Sequence, residues 1–105
     1  DVPIKDKIVW IIDDMIDTAG TVCLAADMMT EQGARSVRVV ATHAVLSGPA
    51  YDRISKSSIT ELVVTDTIPL RGHSDKIKVL SVADLFADVI NKVYKYKSIS
   101  SNFIF

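Results

Sequence analysis

Ile8-Val9-Trp10-Ile11-Ile12-Asp13-Asp14-Met15-Ile16-Asp17-Thr18-Ala19-Gly20-Thr21 decides the reading of this chain. Five apolar residues precede two adjacent carboxylates, a third carboxylate, and a Thr-Ala-Gly-Thr turn. A short, β-branched apolar run bounded by turn residues reads as a buried, parallel strand over Ile8 to Ile12. Apolar on both faces, it is expected in the interior of a sheet. Asp13 and Asp14 then fall at its carboxyl end, where open α/β sheets place their ligands. The turn leads into a helix, so backbone N–H groups, hydroxyls and the positive end of the helix dipole converge on one spot, which suits a phosphate. Acids and a phosphate cradle side by side fit a sugar phosphate. The acids accept from vicinal ribose hydroxyls or hold Mg²⁺ there, and the loop holds the 5′-phosphate.

Outward from this stretch the pattern repeats. Thr21 to Gln32 places Val22, Ala25, Ala26 and Met29 at helical spacing, with Asp27 and Glu31 turned outward and Gly33 ending the helix. Val37 to Thr42 is a second strand, completing a βαβ unit. Ser47 or Gly48 caps a second helix, with Pro49 at its first position, running to about Lys56. Ile59 to Thr65 and Ile77 to Leu80 are further strands. Ser81, with Asp84 three residues on, opens a closing helix carrying the stripe Val82, Leu85, Phe86, Val89, Ile90 and Val93. The expected fold is one α/β domain, a mainly parallel four-stranded sheet with helices on both faces. The tail from Lys97 holds Ile99, Phe103, Ile104 and Phe105, too apolar to stay solvated, and is expected to dock.

Composition sets limits. With 105 residues, 49% hydrophobic and 24% charged, the chain is a single globular domain at most. A net charge of −1 gives no reason to expect nucleic acid or an anionic membrane as partner. The one cysteine, Cys23, excludes an internal disulfide, fits a reducing, cytoplasmic setting, and reads as helix packing. No apolar run approaches the roughly 20 residues of a membrane span. The chain opens on Asp1-Val2-Pro3 rather than Met, which suggests a piece of something longer.

The opening stretch resembles the phosphoribosyl pyrophosphate motif: apolar strand, two acids, then Asp-Thr-(small)-Gly-Thr. Met15-Ile16, Thr42-His43 with Ser47-Gly48-Pro49-Ala50, Thr65-Asp66-Thr67-Ile68-Pro69, and Ser98-Ile99-Ser100 with Phe103 together resemble the ribose-phosphate pyrophosphokinase family, in the same order. The likeness runs over nearly the whole chain but covers only about the last third of such an enzyme.

It implies a type I phosphoribosyltransferase-like three-layer sandwich, with 1–105 as part of a C-terminal domain and 97–105 as its docking tail. It implies an oligomeric enzyme transferring diphosphate from ATP to ribose 5-phosphate with Mg²⁺. Asp13, Asp14, Asp17, Thr18, Ala19, Gly20 and Thr21 would then bind ribose 5-phosphate, with Asp13 and Asp14 also holding the metal. The catalytic basic loop and most ATP contacts would lie in an N-terminal part outside this chain, leaving no catalytic residue within it. Ser98, Ser100 and Phe103 would contribute to an inter-subunit effector site for phosphate or ADP. Ala44 departs from the family, which usually has Gly there.

Three other readings use the same residues. A phosphoribosyltransferase shares the motif but lacks the Thr-Asp-Thr-Ile-Pro and Ser-Ile-Ser segments. A catalytically silent regulatory homologue would keep the site without turnover. A receiver-type signalling module would use Asp13 and Asp14 for Mg²⁺ and Asp66 as phosphoacceptor, leaving the Thr-Ala-Gly-Thr loop unexplained. His43 reads as structural, and Ser47, Gly48, Asp66 and Thr67 as turn residues that could border the sugar pocket.

Overall fold

The computed structural model describes residues 3–95. The elements, in order, are β1 (Ile8–Ile16), α1 (Gly20–Glu31), β2 (Ser36–Ala44), α2 (Ala50–Lys56), β3 (Glu61–Thr65), β4 (Ile77–Leu80) and α3 (Ala83–Tyr94). The tail from Lys97, with Ser98, Ser100 and Phe103, lies outside the described residues.

The strands pair in parallel in the order β1-β2-β3-β4. Alternation along each strand sorts side chains onto two faces. Ile11, Val39, Leu62 and Ile77 align in one row across the sheet, on the face that α1 and α2 cover. There α1 contributes Val22, Cys23 and Ala26, and α2 contributes Ala50 and Ile54, against Val37, Val39, Leu62 and Val64. Each fully buried Leu, Ile or Val in this layer stabilises by roughly 1.5–3 kcal/mol. Gly33 ends α1 in a left-handed turn: its N–H donates to Thr30 O at 2.9 Å and that of Ala34 to Met29 O at 3.1 Å, with φ +95° at Gly33.

The α/β class and the four parallel strands agree with the sequence, but the position of the motif strand does not. β1 is an edge strand, pairing among the described residues with β2 alone. Ile8, Trp10 and Ile12 point away from the helices and are 53%, 52% and 80% exposed. The physical reason is that α1 and α2 both pack on the other face. α3 buries none of its residues: Phe86 and Ile90 stay 54% and 68% exposed, so its stripe covers nothing here. Among the described residues one helix layer is therefore packed, and the second face of the sheet stays open. On that face Arg38 sits over the Trp10 ring, 5.8 Å from its centroid.

Boundaries shift for local reasons. β1 continues to Ile16 rather than stopping at Ile12, because its ladder with β2 persists through Met15–His43 and Ile16–Ala44. β3 starts at Glu61, two residues later than expected, where pairing with β2 begins.

Candidate functional site

Between β1 and α1 lies a cleft of about 310 Å³, lined by Asp13 and by every residue from Met15 to Val22. Its floor is the loop Asp17-Thr18-Ala19, and the loop's shape is fixed from outside. Ile16 O accepts from the N–H groups of Val45 (3.1 Å) and Leu46 (3.0 Å), and Asp17 O accepts from Ser47 N–H at 2.9 Å. The Ser47 hydroxyl donates to the Asp17 carboxylate. Arg53 Nη1 donates to Thr18 O at 3.1 Å. Three consecutive carbonyls are thus tied to the segment joining β2 to α2, or to α2 itself.

Ala19 makes the turn into the helix in the left-handed region, at φ 66° and ψ 7°. An L-residue with a Cβ pays for that conformation, by roughly 1–2 kcal/mol, and such strain gathers at functional sites. Ala19 O accepts the first helical bond, from Cys23 N–H at 3.1 Å. No side chain caps α1. The Asp17 carboxylate is engaged by Ser47, so the N–H groups of the first turn are left to face the cleft.

The paired acids separate. Consecutive strand residues face opposite sides; Asp13 lines the cleft and Asp14 does not. Asp13 Oδ1 accepts from Asp14 N–H at 2.8 Å, and both residues are exposed. Among the described residues no group of three or more His, Cys, Asp or Glu side chains could hold a metal. Mg²⁺ does not need one: it takes one or two carboxylates and fills its octahedron with water and ligand oxygens. The exposed Asp13 carboxylate at the cleft fits that habit.

The remaining singled-out residues do structural work. His43 Nδ1 lies 2.8 Å from Thr67 Oγ1, and the Thr65 hydroxyl donates to Thr42 O at 2.6 Å, stitching the ends of β2 and β3. Asp66 accepts from Val82 N–H at 2.9 Å, and this bond, aided by the Ser81 hydroxyl, holds its carboxyl below the usual range. It secures the start of α3 in place of the expected Ser81–Asp84 capping box; the N-cap is Val82, without a side-chain bond. Ser47 and Gly48 do not cap α2, whose N-cap is Pro49. Cys23 is buried, and burial raises its thiol pKa, as helix packing requires. Arg53 escaped the sequence reading because it lies 35 residues from the carbonyl it holds, with no spacing to signal the contact.

Comparison with known proteins agrees with this geometry. The chain is 55% identical over 101 residues to the ribose-phosphate pyrophosphokinase of Campylobacter jejuni, covering 96% of this chain and 33% of that protein. It is 57% identical over 100 residues to the enzyme of the same name from Helicobacter hepaticus, covering 95% and 32%. The crystal structure of phosphoribosylpyrophosphate synthetase from Mycobacterium smegmatis superimposes with a TM-score of 0.86 at 38% identity, over 90% of this chain and 33% of that one. The chain thus spans about a third of the length of these relatives. With residues 2–104 also matched by the family described as phosphoribosyl synthetase-associated domain, the chain belongs to that family.

Proposed function

We propose that this chain is the ribose 5-phosphate-binding part of an enzyme that transfers diphosphate from ATP to ribose 5-phosphate. One observation carries the reading: a single cleft runs unbroken along Met15 to Val22, with the Asp13 carboxylate at one end and the start of α1 at the other. The loop and the first-turn N–H groups of Gly20 and Thr21, with the Thr21 hydroxyl, take the 5′-phosphate. Asp13 and Asp14 accept from the ribose hydroxyls and would hold Mg²⁺, whose charge neutralises the transferred diphosphate. Such a transfer depends on positioning and charge neutralisation, and this chain supplies the acceptor's half of both. ATP is bound by parts of the longer protein, and the oligomer and its phosphate or ADP effector site, with Ser98, Ser100 and Phe103, belong to that context.

The test is a titration of this chain with ribose 5-phosphate and with inorganic phosphate, with and without Mg²⁺. Asp14→Asn should weaken Mg²⁺-dependent sugar binding more than phosphate binding, and Thr21→Val the reverse, each by ~1–3 kcal/mol. The chain alone should form no AMP from ATP and ribose 5-phosphate. Equal loss of phosphate affinity in both variants, or robust AMP formation, would overturn the reading.

A further inference from the structure

Two clefts share Gly20, and Arg53 lines the second of them and reaches the backbone of the first. One is the cleft described above. The other, about 470 Å³, lies between α1 and α2 and is lined in part by Cys23, Asp27, Asp52, Arg53 and Lys56. Two acids and two bases balance there, with Lys56 paired to Asp52 at 3.1 Å, so it makes no case for a charged ligand of its own. What distinguishes Arg53 is its direction. Its guanidinium leaves α2, approaches the backbone where α1 begins, and donates from Nη1 to Thr18 O at 3.1 Å. A Cβ built on Gly20 would come within 3.0 Å of the same Nη1, so the absent side chain at Gly20 is what leaves room for the approach.

We propose that Arg53 is the positioning residue of the phosphate loop, acting on the bound anion through the Thr18–Ala19 peptide. The inference rests on the phosphate-binding reading above and deepens it. A cation donating to a carbonyl polarises the peptide beyond it, so the Ala19 N–H becomes a stronger donor. The same bond fixes the plane of the peptide that enters the left-handed Ala19, and hence the aim of the N–H groups that follow. The guanidinium also brings a positive charge to the loop, at Thr18 and Gly20. Arg53 is exposed, so changing it removes the clamp without opening the core.

The experiment compares this chain with its Arg53→Met and Arg53→Lys variants, uniformly labelled with ¹⁵N. Inorganic phosphate is titrated while the backbone amides of residues 17–21 are followed, and thermal unfolding is recorded in parallel. Arg53→Met should weaken phosphate about ten-fold, the scale of one charge-assisted hydrogen bond. It should also move the Ala19 amide nitrogen resonance before any ligand is added, and leave the unfolding midpoint close to that of the parent. Arg53→Lys should recover most of the affinity. A purely structural role would lower the midpoint and leave affinity and the Ala19 resonance alone; that result overturns the proposal. Should phosphate perturb none of these amides even in the parent chain, the phosphate-binding reading falls. The free-state Ala19 resonance of Arg53→Met then decides the clamp by itself: moved, Arg53 sets the loop; unmoved, it does not.

Discussion

The Ser47 hydroxyl donates to the Asp17 carboxylate, across 30 residues of sequence, while the Ser47 N–H holds the Asp17 carbonyl at 2.9 Å. An acid inside a phosphate loop is a liability unless something turns it aside, because like charges repel. Ser47 does so with a matched pair of bonds. Ser47→Ala frees that carboxylate to swing toward the cleft and should weaken inorganic phosphate binding about three- to ten-fold, a loss of ~0.5–1.5 kcal/mol. Pairing it with Asp17→Asn should restore much of the loss, since the freed group then carries no charge. Isothermal titration of both variants checks this, and an unrescued double variant would show that Ser47 acts on loop shape alone.

Ala19 is left-handed and 5% exposed, so its small side chain is required twice. A β-branched residue is a genuine outlier at this φ, and adding two methyl groups at a buried position risks overpacking. Ala19→Val should lower unfolding stability by roughly 2–4 kcal/mol, combining strain and overpacking. Urea unfolding followed by far-UV dichroism measures it. A change below ~0.5 kcal/mol would mean that the turn relaxes freely.

The βαβ order, the parallel sheet and the turn from β1 into α1 were legible because each rests on local chemistry: β-branched runs, the spacing of Val22, Ala25, Ala26 and Met29, and Gly33 as a helix stop. What the sequence concealed is what depends on distant partners. Side-chain caps were expected from Ser47 and Ser81, both good capping types, yet a tertiary bond to Asp17 claims the first and Asp66 replaces the second. The double-sided apolarity of Ile8 to Ile12 signals a strand, but the interior position expected of it is not met, because β1 is an edge strand with Ile8, Trp10 and Ile12 exposed. That apolarity cannot say whether residues that would bury the strand lie within these 105, and among the described residues they do not.

Asp66 gives α3 a pH dependence of definite sign. Its carboxyl is held below the ordinary carboxylate range in the folded chain, chiefly through the Val82 N–H bond. The bond therefore contributes fully above the unfolded pKa and is lost as pH falls through the folded one. α3 buries no residue, and besides this bond its first turn is held by Ala83 N–H donating to the Ser81 hydroxyl at 3.2 Å. Amides of residues 82–86 should lose helical shifts on acidification below about pH 4. Asp66→Asn should show much of the same loss at pH 7. NMR shifts across a pH series in both chains make the comparison; an acid-insensitive first turn in the parent would remove Asp66 from the role.

The open face of the sheet separates two kinds of apolar residue that look alike in the sequence. Ile12 and Leu62 are both branched aliphatics in strands, but Ile12 is 80% exposed and Leu62 is fully buried beneath α1 and α2. Leu62→Ala should cost ~2–5 kcal/mol, the transfer and cavity terms together. Ile12→Thr removes apolar area that the described residues leave in water, so stability should change by less than about 0.5 kcal/mol. It should, however, reduce binding of an apolar dye such as ANS, because Ile12 sits in one row with Val40 and Val63 on the uncovered face. Denaturant melts and dye fluorescence on the two variants give the answer. If Ile12→Thr proved as destabilising as Leu62→Ala, the second face would be covered in solution and β1 would not be an edge.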